Sequence, residues 1–471
     1  MGIGGTRRES GLSAPVGGPV ERRRGLAMRR VGLALGVAAL AVVMFVVGGI
    51  GVLRRVTSGP FSAPHVAGPA LATKPVIGAG SLSAIIANLQ DRLRAAPEDW
   101  RSYADLGLAY VQHARVTADP SFYPKAEGVL ERSLGLNSSG NFGALTGVAA
   151  LAAARHDFAS ALTWGQKAVA ANPDSAEARA VVGDAQLELG LYDEAFETYQ
   201  KMIDLRPELS TYARVSYGWE LQGDFENAVR AMNLALGAAA TPADGAWASN
   251  QLGDLYWNHG RLAQAEKWYR RAIATDASFI PPHAGLARIE AATGHVERAI
   301  EKLTHVVERY PSPEHVIALG DLYIATGKPE EAARQHALVR AQERLHRASG
   351  VNIDLEIALF DADHGVDLAS GLAAARQEWA RRKSIHVADA LAWVLYANGQ
   401  HEEALGYANK ALRLGTLNPL FLFHRGMIER ALGKTRAARS DLAAALAINP
   451  HFSILWSKQA EQALTKLGGA P

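Results

Sequence analysis

A small-residue signal that returns with a fixed period narrows the folds open to this chain more than any other feature. An alanine followed by apolar residues stands at Ala126, Ala161, Ala195, Ala228, Ala265, Ala299, Ala332, Ala404 and Ala438, with gaps of 33 to 37 residues and one double gap of 72. A glycine about five residues ahead of the alanine keeps the same beat at Gly190, Gly223, Gly260, Gly294, Gly327, Gly365, Gly399 and Gly433, and Gly365 fills the double gap. Between these marks apolar residues recur at helical spacing, and no stretch alternates as a strand would. Each period therefore reads as two antiparallel helices. Glycine supplies a left-handed residue after the first helix, and a proline such as Pro173, Pro207, Pro311 or Pro450 stops the second. Small residues at Gly183, Gly253, Gly320 and Gly426 let the helices of a pair approach, while Tyr110, Tyr199, Tyr256, Tyr269 and Tyr323 fill gaps between neighbours. No such hairpin can bury its apolar face alone, so consecutive copies must stack.

Three copies carry a fuller pattern. One reads Leu252-Gly253-x2-Tyr256, then Gly260, Ala265, Tyr269 and Ala272; another Gly183, Gly190, Ala195, Tyr199 and Pro207; a third Leu319-Gly320-x2-Tyr323, Gly327 and Ala332. These residues resemble the 34-residue tetratricopeptide repeat, W-x2-L-G-x2-Y…A-x3-F…P. The resemblance spans about 370 residues. It implies an all-α, right-handed α-solenoid of about ten hairpins, with an inner groove and more than one superhelical turn. Departures from the pattern mark expected irregularities. Val116–Pro120 lengthens the first inter-helix loop, Thr241–Gly245 adds three residues, and the second helix after Gly327 runs on through Arg347. A degenerate copy at 352–385 divides the array into blocks 97–349 and 350–450, and residues 451–471 read as a capping helix and tail.

Ahead of the repeats the chain changes character. Residues 1–30 hold seven Arg against two Glu and form a basic tail; residues 31–53 form an uncharged apolar run of 23; residues 54–80 are a Pro/Gly-rich linker. As a helix the run reaches roughly 34 Å, enough for a hydrocarbon core of about 30 Å. Five Arg closely precede it and only Arg54 and Arg55 follow, so the expected topology is a single span with the tail cytoplasmic and the repeats outside the cytoplasm. A cleaved signal peptide fits less well, because the run is long, Arg54 and Arg55 follow it, and the nearest A-x-A site, Ala70-Leu71-Ala72, lies far downstream. A twin-arginine signal at Arg29-Arg30 and N-myristoylation at Gly2 are weaker fits. Gly32 and Gly36 make a G-x-x-x-G face through which two such helices could form a homodimer.

From residue 81 onward acids outnumber bases, 45 to 39, which argues against a nucleic-acid partner. With no cysteine, thiolate metal sites and Cys nucleophiles are impossible. Gly426-x6-Gly433-Lys434-Thr435 has the wrong spacing for a phosphate loop, and Gly433 already serves a repeat turn. Asp361, Asp363 and His364 form the densest metal-type cluster, yet they adjoin turn residue Gly365 and read as a solvated turn. No catalytic residue, cofactor or metal is therefore expected. What remains is the groove. Family spacing places Tyr217, Asn250, Asp254, Trp257, Asn258, Arg288 and Asp321 on its inner side, with Trp393 further along. Such a mixed trough suits an extended peptide or partner helix, although Trp257 and Trp393 are equally well explained as packing between repeats. The peptide-carboxylate clamp of some family members needs Lys where this chain has Ala180, Ala213 and Asn250. The function expected is a membrane-anchored protein-interaction scaffold. The rivals are a cytoplasm-facing assembly or regulatory factor, and an enzyme with a cryptic site in 350–385.

Overall fold

The computed structural model describes residues 79–469. The basic tail, the apolar run 31–53 with its Gly32/Gly36 face, and all but the end of the linker lie outside the described residues. Among the described residues there is no strand, and no helix is long and apolar enough to cross a membrane.

A leading helix α1 (Ala79–Ala95) precedes ten hairpins. These are α2 (Trp100–Thr117) with α3 (Phe122–Leu136), α4 (Phe142–Ala154) with α5 (Phe158–Ala171), α6 (Ala176–Leu189) with α7 (Tyr192–Leu205), α8 (Leu209–Leu221) with α9 (Phe225–Gly237), and α10 (Pro242–Asn258) with α11 (Leu262–Thr275). The second five are α12 (Pro281–Ala292) with α13 (Val296–Arg309), α14 (Pro313–Ala325) with α15 (Pro329–Ala348), α16 (Asp354–His364) with α17 (Leu368–Arg381), α18 (Ile385–Ala397) with α19 (His401–Ala411), and α20 (Pro419–Ala431) with α21 (Thr435–Ile448). Helix α22 (Trp456–Lys466) closes the order.

The periodic marks do what their chemistry requires. All eight turn glycines have positive φ, between 65° and 83°, and the nine marker alanines are buried where paired helices touch. Chain entry into several helices is fixed by side-chain caps; Asp157, for example, accepts from the Ser160 amide at 3.1 Å. In the degenerate eighth hairpin Gly371 is the buried small residue, packed against the Asp361 side chain.

Some irregularities differ from expectation. The extra residues of the first hairpin mainly extend α2 to 18 residues, and Ala118, at φ 54°, takes the left-handed turn that glycine takes elsewhere. The Thr241–Gly245 insert builds a helix start: Thr241 and Asp244 form a reciprocal capping box, with Pro242 in the first turn. Helix α15 does run on, through Ala348. Helix α1 buries Leu82, Ile86, Leu89 and Leu93, a four–three–four stripe that sequence reading left unassigned, against Leu106 and Tyr110.

Neighbouring turns of the coil touch. Hydrogen bonds join residues 192 to 197 apart, a little under six repeats. The Arg115 carbonyl accepts from Tyr310 Oη at 3.1 Å, the Leu189 carbonyl from the Lys383 amide at 3.1 Å, the Leu221 carbonyl from Thr416, and the Trp257 carbonyl from Asn449 Nδ2 at 2.7 Å. Arg155 closes the same ladder, its side chain donating to the Ser349 carbonyl and its own carbonyl accepting from the Asn352 amide. The carbonyls used lie at or just past the C-termini of the first helices of hairpins one to five, where helix geometry leaves acceptors without an intrahelical partner. The donors come from the connections that follow hairpins six to ten.

One junction differs from the rest. Consecutive helices pack backbone against backbone throughout, except between α15 and α16.

Candidate functional site

The eight residues expected on the inner side fall into three groups, and five of them (Tyr217, Asn250, Trp257, Asp321 and Trp393) are buried. Asp254, Asn258 and Arg288 are half-buried. The first group surrounds Asp254. It receives Arg288 at 2.5 Å, Tyr269 Oη at 2.8 Å and Asn250 Nδ2 at 2.9 Å, while the Arg288 guanidinium lies 5.3 Å from the Trp257 ring centre. Alongside, Asn258 donates to Glu220 at 2.9 Å. Tyr217, Glu220, Asp254 and Asn258 line a cavity of about 20 Å³, room for one water rather than a peptide side chain. Burial raises the Glu220 carboxyl to about 7, with the Asn258 bond opposing and Asp254 reinforcing that shift. Tyr217 shares an apolar cluster with Ile385, Ala388 and Phe421 of the following coil turn, which is what covers it.

Trp393 lies apart. It donates from Nε1 to Asp363 at 2.6 Å and stacks between Tyr396 and His424. Asp321 forms the third group with His364, at 3.3 Å. The Asp361, Asp363 and His364 cluster is thus not a solvated turn: all three side chains are buried, and each turns to a different partner, Arg340, Trp393 and Asp321 respectively. Helix α16 ends inside the packed array, so polarity near its turn glycine does not mean exposure.

A recurring arrangement emerges that linear reading did not isolate. Asp184 follows Gly183 and accepts from Tyr199, 15 residues on, at 3.0 Å, and from Arg214 Nε and Nη2, at 2.7 and 2.6 Å. Asp254 follows Gly253 and takes Tyr269, again 15 residues on, with Arg288. In both, the glycine makes room for the tyrosine ring, and the arginine comes from the first helix of the next hairpin. Asp321 follows Gly320 in the same way, but the residue 15 further is His336 and the next hairpin contributes His364. Aligning the copies around their glycines would have exposed His336. Burial raises Asp321 well above the ordinary carboxylate range. Burial also lowers both imidazoles, His336 to about 4 with the charges of His364 and Arg340 adding to the effect.

Ten stacked helical hairpins with glycine turns and alanine seams define an α-solenoid of the helix–turn–helix repeat class. The family model described as tetratricopeptide repeat matches residues 149–210, 222–278, 285–344 and 390–454, just over half of the chain, and the chain belongs to that family. A relative is "Cellulose synthase 1 operon protein C" of Komagataeibacter xylinus, 27% identical over 206 residues; the match takes in 41% of this chain and 16% of that protein. Among solved structures, PilW, a widely conserved type IV pilus biogenesis factor, is 19% identical with a TM-score of 0.35, covering 42% of this chain and 92% of that one. MamA is 20% identical with a TM-score of 0.28, covering 34% of this chain and 94% of that one.

Proposed function

We propose that this protein is a membrane-tethered interaction scaffold, single-pass, with its repeats outside the cytoplasm and no catalysis of its own. The observation that carries the reading is the array of ten family-type hairpins, a preformed surface for binding other proteins. Tethering is supported by the uncharged run 31–53 and the arginines that precede it. Because five of the inner residues are packed away, the contact surface within the groove narrows to Asp254, Asn258 and Arg288. Substituting Tyr217 or Trp257 would test folding more than binding.

Two measurements test the reading. A reporter that is active only outside the cytoplasm, fused after Pro471, should be active; activity of a cytoplasmic reporter alone would select the cytoplasm-facing rival. A photocrosslinker replacing Asn258 should capture a partner protein in intact cells. Capture only from exposed Trp219 would move the partner to another face, and capture from neither would end the scaffold reading.

A further inference from the structure

Asp321 is the third member of a recurring set, and it lacks what the other two possess. Asp184 and Asp254 each face an arginine and a tyrosine hydroxyl. Asp321, as buried as Asp184, faces two imidazoles. Arg340, whose charge reaches both imidazoles, is engaged by Asp361 and Glu343. A buried carboxylate without a compensating charge is costly.

The geometry shows what is missing. His364 Nδ1 lies 2.7 Å from the Phe360 carbonyl oxygen, which can only accept, so Nδ1 carries the proton and the Nε2 side faces Asp321 Oδ1, 3.3 Å away. Backbone fixation of one ring nitrogen is how proteins commonly orient a metal-binding histidine. His336 Nε2 is buried without a hydrogen-bond partner, and its ring lies 4.4 Å from that of His364 at 77°. The three ligand atoms lie within 4.8 Å of one another. A tetrahedral ion would hold them about 3.3 Å apart, the separation the Asp321–His364 pair already has. A proton between Asp321 and His364 would satisfy those two atoms and leave His336 Nε2 orphaned; a metal ion satisfies all three.

We propose that Asp321, His336 and His364 bind one divalent transition-metal ion of the zinc class, and that the ion ties the seventh hairpin to the eighth. Two imidazoles and a carboxylate are donors suited to such ions. The location supports a structural role: Asp321 and His336 sit on α14 and α15, His364 on α16, and the ion bridges the one junction where consecutive helices meet through side chains rather than backbone against backbone. Gly320 leaves space for His336, since a Cβ there would come within 3.3 Å of Nε2.

The test uses the untagged full-length chain in detergent, stripped with a chelator and titrated with Co²⁺ and Zn²⁺. One Co²⁺ per chain should bind with visible d–d absorption, and Zn²⁺ should displace it and raise the thermal midpoint. H336Y installs the residue that the other two hairpins carry at this position, so it should keep the helix content and midpoint of the metal-free protein while losing both the absorption and the Zn²⁺ response. A folded wild type with no cobalt bands and no Zn²⁺-dependent shift overturns the proposal and leaves the proton as the compensating charge. So does an H336Y protein that binds like wild type.

Discussion

At the residue scale, the absence of a side chain is as specific as its presence. A methyl at Gly253 would overlap the Tyr269 ring, and α10 and α11 are too closely packed to yield cheaply. G253A should lose about 1–3 kcal/mol in chemical denaturation. Gly128, exposed on α3 with nothing near its missing Cβ, should behave oppositely, and G128A should gain about 0.5–1 kcal/mol. Glu220 sets a pH dependence. Its folded value of about 7 lies above its ordinary 4.5, so the folded state holds the proton more tightly. The stability this confers is complete below about 4.5 and is lost as pH rises through about 7. The melting temperature should decline from pH 5 to 8, and E220Q should flatten that slope; an unchanged slope would show that Glu220 is not the group responsible.

At the element scale, polar ties locate one hairpin on the next. Arg214 is almost wholly buried and forks onto Asp184, so the pair joins α8 to α6 through two parallel bonds. R214M strands the Asp184 carboxylate and should destabilise by about 3–5 kcal/mol, while adding D184N should recover much of the loss. Recovery in the double variant, measured by urea denaturation, distinguishes an unpaired charge from lost packing. The same Asp position serves three hairpins, with tyrosine and arginine partners in two and imidazoles in the third. A repeat can thus keep its helical geometry while its polar seam acquires new chemistry, as at Asp321.

At the scale of the whole array, coil turns are fastened by side chains far apart in sequence. Arg382, buried over the Phe158 ring, bonds Glu188 of the preceding turn at 2.6 Å as well as Glu378 of its own. Close by, the Lys383 and Ile385 amides donate to the Leu189 carbonyl and Tyr192 hydroxyl. R382Q should destabilise by about 3–5 kcal/mol, since it leaves Glu188 buried without its cation. In hydrogen exchange, Lys383 and Ile385 should be protected in wild type and faster in R382Q. Rapid exchange at both in the wild type would mean that the turns are not packed together.

Much of this was legible from residues alone. The turn glycines and seam alanines announced the hairpins because they answer to local constraints, left-handed φ and close helix approach, which act within one repeat and recur with it. The α1 stripe was equally local and could have been read. The inner groove was a different matter: Tyr217 and Trp393 were assigned by family spacing, yet their environments depend on what packs over them. For Tyr217 this includes residues from the next coil turn. His336 and His364 come together only when two hairpins dock, 28 residues apart along the chain. Local sequence therefore set which helices form and where they turn. The angle accumulated over nearly six repeats decided which side chains would be covered and which polar groups would meet, and no single repeat contains that sum.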